Sequence, residues 1–136
     1  MKIVLDTNVI ISAFLWVGQS NKILDCIEKR KILVYSCPEQ IIELEGVLAR
    51  PKFQPIFHKT SLKAGLIVST FLRMVRLVEP VSGLKVIKED RTDNIILSCA
   101  LTAKATYLIT GDNHLLSLKK FQGIKIIKPR QFLEKF

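Results

Sequence analysis

Short apolar runs alternate with longer amphipathic stretches along the whole chain. The runs at residues 2–5, 32–35, 106–110 and 124–127 are rich in β-branched residues and too short for helices, so they predict β-strands. A further short strand is predicted at residues 77–78, where Pro80 closes it. Each run is followed by polar or turn-forming residues, which indicates that the strands are separate elements.

The stretches between the runs carry apolar residues every three to four positions, which predicts helices. One helix should begin after Asp6, and longer ones should cover residues 23–30, 38–48, 60–76 and 94–104. Ser36 and Glu39 resemble a capping box before the third of these helices. Residues 18–21 and 81–88 are interpreted as connectors. Alternating strands and helices predict an α/β fold, a three-layer α/β/α sandwich with a central parallel sheet, and we expect one domain over residues 1–136.

Composition narrows the function classes. The 136 residues are 49% apolar, which suits a folded core, and the net charge of +9 favours an anionic partner, nucleic acid first. The apolar runs are far shorter than the ~20 residues of a membrane span, and no cleavable leader is indicated. Cys26, Cys37 and Cys99 form no CxxC pair, so we expect reduced core thiols in a cytoplasmic protein rather than a zinc site.

Four carboxylates occupy equivalent places beside these elements. Asp6 directly follows the first strand, and Asp112 follows the strand at residues 106–110 through one glycine. Because the carboxyl ends of parallel strands meet at one sheet edge, these two side chains should lie close together. Asp93, with Asp90 beside it, opens a helix, and Glu43 lies off the apolar stripe of its helix.

Each carboxylate also has a structural explanation. Asp6 and Asp112 are good helix-capping residues, Asp93 suits a helix N-terminus, and Glu43 could be an ordinary solvated residue. As a set the four carboxylates favour a metal-binding site, because converging carboxylates raise one another's pKa unless a cation lies among them. Hard divalent ions such as Mg²⁺ prefer oxygen ligands and promote phosphodiester hydrolysis.

Four segments, taken in order, resemble the PIN-domain family, and within it the small prokaryotic toxin-like nucleases of the VapC kind: KIVLDTNVIISAF, ELEGVLARPKF, DRTDNIILSCAL and YLITGDNHLL. The resemblance spans essentially the whole chain. It implies a sheet of about five parallel strands with the first and fourth adjacent at the centre, at a topological switch point. It also implies a Mg²⁺- or Mn²⁺-dependent ribonuclease, often the toxin of a toxin–antitoxin pair, so RNA and an antitoxin protein are the expected partners.

Residue by residue, the resemblance implies an acidic quartet that holds metal: Asp6, Glu43, Asp93 and Asp112. Asn8 matches the supporting polar residue after the first acid, and Thr110 matches the Ser or Thr two residues before the last. Glu45 is the reserve candidate for Glu43. His114 stands where the family often has a second acid, which leaves one or two metal ions open.

The implied mechanism is hydrolysis of an RNA phosphodiester. Glu43 orients or deprotonates the attacking water, and Thr110 positions a metal-bound water or the phosphate. The alternative is a catalytically inactive PIN-like domain that only binds RNA. A nucleotide-binding module would need a glycine-rich phosphate loop, which the chain lacks, and the lone Asp6 does not suit a phosphoacceptor domain.

Two aromatic residues bear on the oligomeric state. Phe14 and Trp16 lie on the first predicted helix, and we expect both in the core. A homodimer contact through these residues is the alternative.

Overall fold

The computed structural model describes residues 1–16, 18–80 and 91–136. Its strands are β1 (Lys2–Leu5), β2 (Leu33–Ser36), β3 (Val75–Leu77), β4 (Tyr107–Ile109), β5 (Lys120–Phe121) and β6 (Ile124–Ile127). Its helices are α1 (Thr7–Leu15), α2 (Gln19–Arg30), α3 (Pro38–Leu48), α4 (Gln54–Lys59), α5 (Ala64–Met74), α6 (Arg91–Ala103), α7 (Asn113–Leu118) and α8 (Pro129–Leu133), with a 3-10 turn at Pro51–Phe53. The predicted connector at residues 81–88 lies outside the described residues.

The six strands form one sheet in the order β3-β2-β1-β4-β6-β5. Every neighbouring pair is parallel except β5 with β6. β1 and β4 are adjacent at the centre, where Leu5 is in register with Ile109, so their carboxyl ends lie side by side. The predicted α/β class, the central parallel sheet and its switch point are therefore confirmed, and the sheet has one short antiparallel strand more than expected.

The extra strand, β5, joins β6 through a two-residue turn. Gln122 and Gly123 both have positive φ, 45° and 87°, between the paired residues Phe121 and Ile124. Two successive positive φ values are typical of a type I′ hairpin turn, whose twist matches that of the flanking strands. Gly123 accommodates this backbone because it has no side chain.

The buried residues form two clusters on the two faces of the sheet. Ile3 and Leu5 of β1 contribute to a cluster with residues of α1, α2, α3, α5 and α8. Val4, between them, belongs to a second cluster with residues of α6 and α7. This alternation is the expected consequence of strand geometry and produces the three-layer arrangement.

Three helix starts differ from the predicted ones. α6 begins at Arg91, three residues before the predicted start. α2 begins at Gln19, with Gly18 as its N-cap, four residues before the predicted start. α5 begins at Ala64 rather than at Thr60. The Thr60 hydroxyl donates to the Ile56 carbonyl at 2.8 Å and accepts from a backbone N–H two residues on, so this residue closes α4 instead of opening α5.

The cysteines are all free, with Cys37 and Cys99 buried and Cys26 half-buried. A hydrogen bond with the Cys37 sulfur, together with burial, raises the pKa of the Cys99 thiol, which therefore stays protonated. Phe14 packs against the core, but Trp16 is 50% exposed, so its predicted burial is wrong. None of the helices in the described ranges is long and apolar enough to cross a membrane.

Candidate metal centre

Asp6 lies where β1 ends, and both of its carboxylate oxygens accept hydrogen bonds. Oδ1 accepts from the backbone N–H of Thr7 at 2.8 Å, which caps α1. Oδ2 accepts from the hydroxyl of Thr110 at 2.7 Å. Only 5% of Asp6 is exposed. The capping interpretation of this residue is therefore correct as geometry, and it leaves the second oxygen directed at the end of the neighbouring strand.

Thr110 links the two strand-end aspartates. Its side chain is fully buried, donates to Asp6, and accepts from the backbone N–H of Asp112 at 2.9 Å. The Asp112 carboxylate in turn accepts from the N–H of Leu115 at 3.1 Å, which caps α7. The adjacency of β1 and β4 thus brings Asp6 and Asp112 to one edge of the sheet, joined through one hydroxyl.

A second group of side chains converges beside Asp112. Asp93, Asp112 and His114 each offer one ligand atom, and these three atoms lie within 4.8 Å of one another. Asp93 is buried in the first turn of α6, Asp112 is half-buried, and His114 is exposed on α7. Two carboxylates and one imidazole are a chemically suitable donor set for a divalent ion of the first transition row, and carboxylates also suit Mg²⁺.

The helix that carries Glu43, α3, is held in position by buried hydrogen bonds of Gln40. The Gln40 amide of α3 donates to the Leu5 carbonyl at 2.6 Å, and the Ser36 hydroxyl donates to the Gln40 side-chain oxygen at 2.5 Å. The predicted capping box at Ser36 is therefore wrong, because Cys37 is the N-cap of α3 and has no side-chain cap bond. Gln40 fixes α3 against the end of β1, one turn before Glu43.

The two glutamates of α3 have different surroundings. Glu43 is half-buried, whereas Glu45 is exposed and lines a separate cavity of about 270 Å³ beside α4 and α5. Among the described residues, neither Asp6 nor Glu43 belongs to the three-residue group around Asp112. Of the four acids predicted to hold metal, two, Asp93 and Asp112, therefore lie in one group together with His114.

Comparison with known proteins identifies the family. Residues 2–114 match the model of the PIN domain family. The chain belongs to the PIN domain family. The chain is also similar to an uncharacterized protein of Methanocaldococcus jannaschii, MJ1680, with 32% identity over 145 aligned positions that cover 100% of this chain and 92% of that protein.

The fold of this PIN domain also matches a solved structure. It is similar to VapBC2 from Rickettsia felis bound to a DNA fragment from its promoter, with a TM-score of 0.64 and 16% sequence identity. The match covers 94% of this chain and 98% of the other. At this identity the similarity supports the fold, which agrees with the sheet order described above.

Three further site residues complete the description of the PIN domain. Asn8 lies in the first turn of α1 and is exposed, and Asp90 lies outside the described residues. His114 is the residue whose contribution sequence reasoning left in doubt. The sequence does show that His114 lies two residues after Asp112, at the start of a helix. Its closeness to Asp93 could not be predicted, because it depends on how α6 packs.

Proposed function

We propose that this PIN domain is a Mg²⁺- or Mn²⁺-dependent endoribonuclease, one catalytic unit over residues 1–136. The observation that carries the proposal is the convergence of Asp93, Asp112 and His114 within 4.8 Å, beside the hydrogen-bonded Asp6, at the carboxyl edge of the central strands. Open α/β sheets bind ligands at this edge. A net charge of +9 around an acidic centre suits a polyanionic substrate that is cleaved where a cation is held.

The metal would be held by Asp6, Glu43, Asp93 and Asp112, to which the geometry adds His114. A bound divalent ion supplies a more acidic water and stabilises the leaving oxygen. Glu43, at the buried margin of α3, would orient or deprotonate the attacking water.

Thr110 has a positioning role in this proposal. Its hydroxyl is buried and engaged by both Asp6 and the backbone of Asp112, so it holds two acids rather than touching substrate. Asn8, exposed beside the same strand end, would contact the phosphate or a water near it.

The test is RNA cleavage with added Mn²⁺ or Mg²⁺, compared with cleavage in EDTA. We expect metal-dependent cleavage by the wild type, none by Asp93→Asn, and wild-type cleavage by Asp25→Asn, which removes the same charge from an exposed position of α2. RNA binding without cleavage under every metal condition would instead support the inactive RNA-binding domain and contradict the nuclease.

We further propose that the protein is the toxin of a toxin–antitoxin pair and acts in the cytoplasm. Family membership and the shared fold with VapBC2 support an antitoxin as partner. Growth arrest on expression, relieved by the protein of a neighbouring reading frame that co-purifies with it, is the expected result. Light scattering of the purified chain tests the homodimer, for which the half-exposed Trp16 offers an apolar contact.

A further inference from the structure

A row of basic residues lies at the end of β4 opposite to the candidate metal centre. Lys125 of β6 is in register with Tyr107, the first residue of β4, and Lys120 of β5 is in register with Lys125. Directly paired residues project from the same face of a sheet. The neighbours Ile124 and Ile126 are buried on the other face, so Lys120 and Lys125 project side by side next to Tyr107, and both are exposed.

Two more cations lie against a cluster of aromatic rings that includes Tyr107. The Lys135 ammonium lies 5.6 Å from the centroid of the Tyr107 ring. Phe132 packs 5.8 Å from Tyr107 and 5.0 Å from Phe136 between ring centroids, and the Arg30 guanidinium lies 5.9 Å from the Phe136 ring. We call the four cations the distal basic surface: Arg30, Lys120, Lys125 and Lys135.

The cations of this surface form no ion pair with any carboxylate in the described part of the chain. The one ion pair between described residues joins Arg130 to Glu134, so no described carboxylate lies within 4.0 Å of the four cations. Like charges directly opposite each other in an antiparallel pair are destabilising, which applies to Lys120 and Lys125. Lys119, just before β5, has φ 58° and ψ −45°, which is strained for a residue with a side chain.

We propose that the distal basic surface binds the phosphate backbone of single-stranded RNA and holds the substrate while another segment of it reaches the metal centre. This inference rests on the proposed ribonuclease function. Lysine and arginine side chains bind the phosphate backbone without reading its sequence, and Phe136, which is 42% exposed beside Arg30, offers a ring on which a base can stack. Tyr107 and Thr110 are three residues apart along β4, about 10 Å. Because β4 is buried in the middle of the sheet, an RNA strand that engages both places passes around the β5 edge.

The experiment measures binding of a fluorescently labelled 20-nucleotide single-stranded RNA by anisotropy in EDTA, where cleavage is blocked. The test variant is K120Q/K125Q/K135Q, and the control, K22Q/K52Q/K59Q, changes the net charge equally at exposed positions outside the surface. We expect the test variant to bind at least tenfold more weakly at low salt, with a log–log salt slope shallower by about 2, and the control to stay within threefold of wild type.

Cleavage separates this inference from the function on which it rests. With Mn²⁺ present, the test variant should keep the wild-type rate at saturating RNA and need more RNA to reach it. Equal weakening by both triple variants, or unchanged binding by the test variant, overturns the distal surface even if the wild type cleaves. Tighter binding of duplex DNA than of single-stranded RNA overturns the RNA assignment. A wild type that never cleaves, with binding still weakened only in the test variant, supports the surface and contradicts the ribonuclease.

Discussion

At the residue scale, Asp6 combines two roles that sequence reasoning treats as alternatives. One oxygen caps α1 and the other accepts from Thr110, while the residue is almost completely buried. Burying a carboxylate is unfavourable unless it is hydrogen-bonded or paired with a cation. The cap therefore fixes the orientation of a carboxylate that we propose as a metal ligand.

Replacing Asp6 by Asn separates charge repulsion from hydrogen bonding. Repulsion among four carboxylates predicts that the variant melts at or above the wild type in EDTA. The structure predicts the opposite, because an amide has one acceptor oxygen for two donors, the Thr7 N–H and the Thr110 hydroxyl, so one of these donors loses its acceptor. We expect a loss of about 1–3 kcal/mol by urea unfolding in EDTA, with Asp25→Asn unchanged. A variant as stable as wild type would show that repulsion dominates.

The two glutamates of α3 should differ in activity. Glu43→Gln is expected to lower RNA cleavage by roughly 100-fold or more, the usual contribution of a general base, with little change in melting temperature. Glu45→Gln is the matched control, since Glu45 is exposed on the other side of the helix beside the separate cavity. If Glu45→Gln is the inactive variant, the assignment of this helix is wrong.

His114 should influence which metal is preferred. An imidazole nitrogen suits transition-metal ions, whereas Mg²⁺ prefers oxygen ligands alone. We expect His114→Asp to increase the rise in melting temperature produced by Mg²⁺ relative to that produced by Mn²⁺. An unchanged ratio of the two shifts would place His114 outside the metal's ligands.

At the scale of elements, α3 and β1 are held together by a buried polar tie. Gln40 is 1% exposed and donates to the Leu5 carbonyl directly before Asp6. Gln40→Leu keeps the approximate volume but leaves that carbonyl and the Ser36 hydroxyl without this partner. We expect a loss of about 1–3 kcal/mol in urea unfolding together with reduced cleavage. Gln54→Leu is the control and should change neither stability nor cleavage, because the hydrogen bonds of Gln54 are long and exposed. An equal effect of both variants would mean that the hydrogen bonds of Gln40 do not hold α3 against β1.

The elements that the sequence predicts best are those with an intrinsic pattern. β1 and β6 have the predicted bounds because apolar β-branched runs identify buried strands. β5 is not predicted from the sequence, because two residues are too few to show an alternation of apolar and polar positions. Their pairing depends on the turn at Gln122 and Gly123. The predicted start of α5 at Thr60 is wrong because the local hydrogen bonds of Thr60 compete with helix formation.

The candidate site likewise has a part that the sequence predicts and a part that it does not. The closeness of Asp6 and Asp112 follows from the strand order. The alternation of elements indicates that both lie at one sheet edge, and the family resemblance implies that their strands are adjacent. The closeness of Asp93 and His114 depends on the packing of α6 and α7, which no local pattern encodes. Basic residues cluster visibly in the sequence at residues 29–31, 119–120 and 125–130. Their meeting in the distal basic surface could not be predicted, because it depends on the pairing of β5 with β6 and on the packing of the last helix.

At the scale of the whole molecule, a cluster of cations and a cluster of acids lie at opposite ends of one sheet. The net charge of +9 includes the cations of the distal basic surface, while acids gather at the carboxyl edge. Holding carboxylates together lowers stability in the absence of metal, because each ionises in the field of the others. A cation at that edge should therefore act on the stability of the whole domain.

Metal should stabilise the folded chain through this edge. A divalent ion binds the folded site and not the unfolded chain, so a hundredfold excess over its dissociation constant adds about 2.7 kcal/mol. For a domain of this length that corresponds to a rise in melting temperature of roughly 10 °C. We expect Mn²⁺ to produce such a shift in the wild type and in Asp25→Asn, but to leave Asp93→Asn almost unchanged, as followed by circular dichroism against EDTA. Equal shifts in all three proteins would mean that the ion binds elsewhere, and the group of Asp93, Asp112 and His114 would then not be the metal centre.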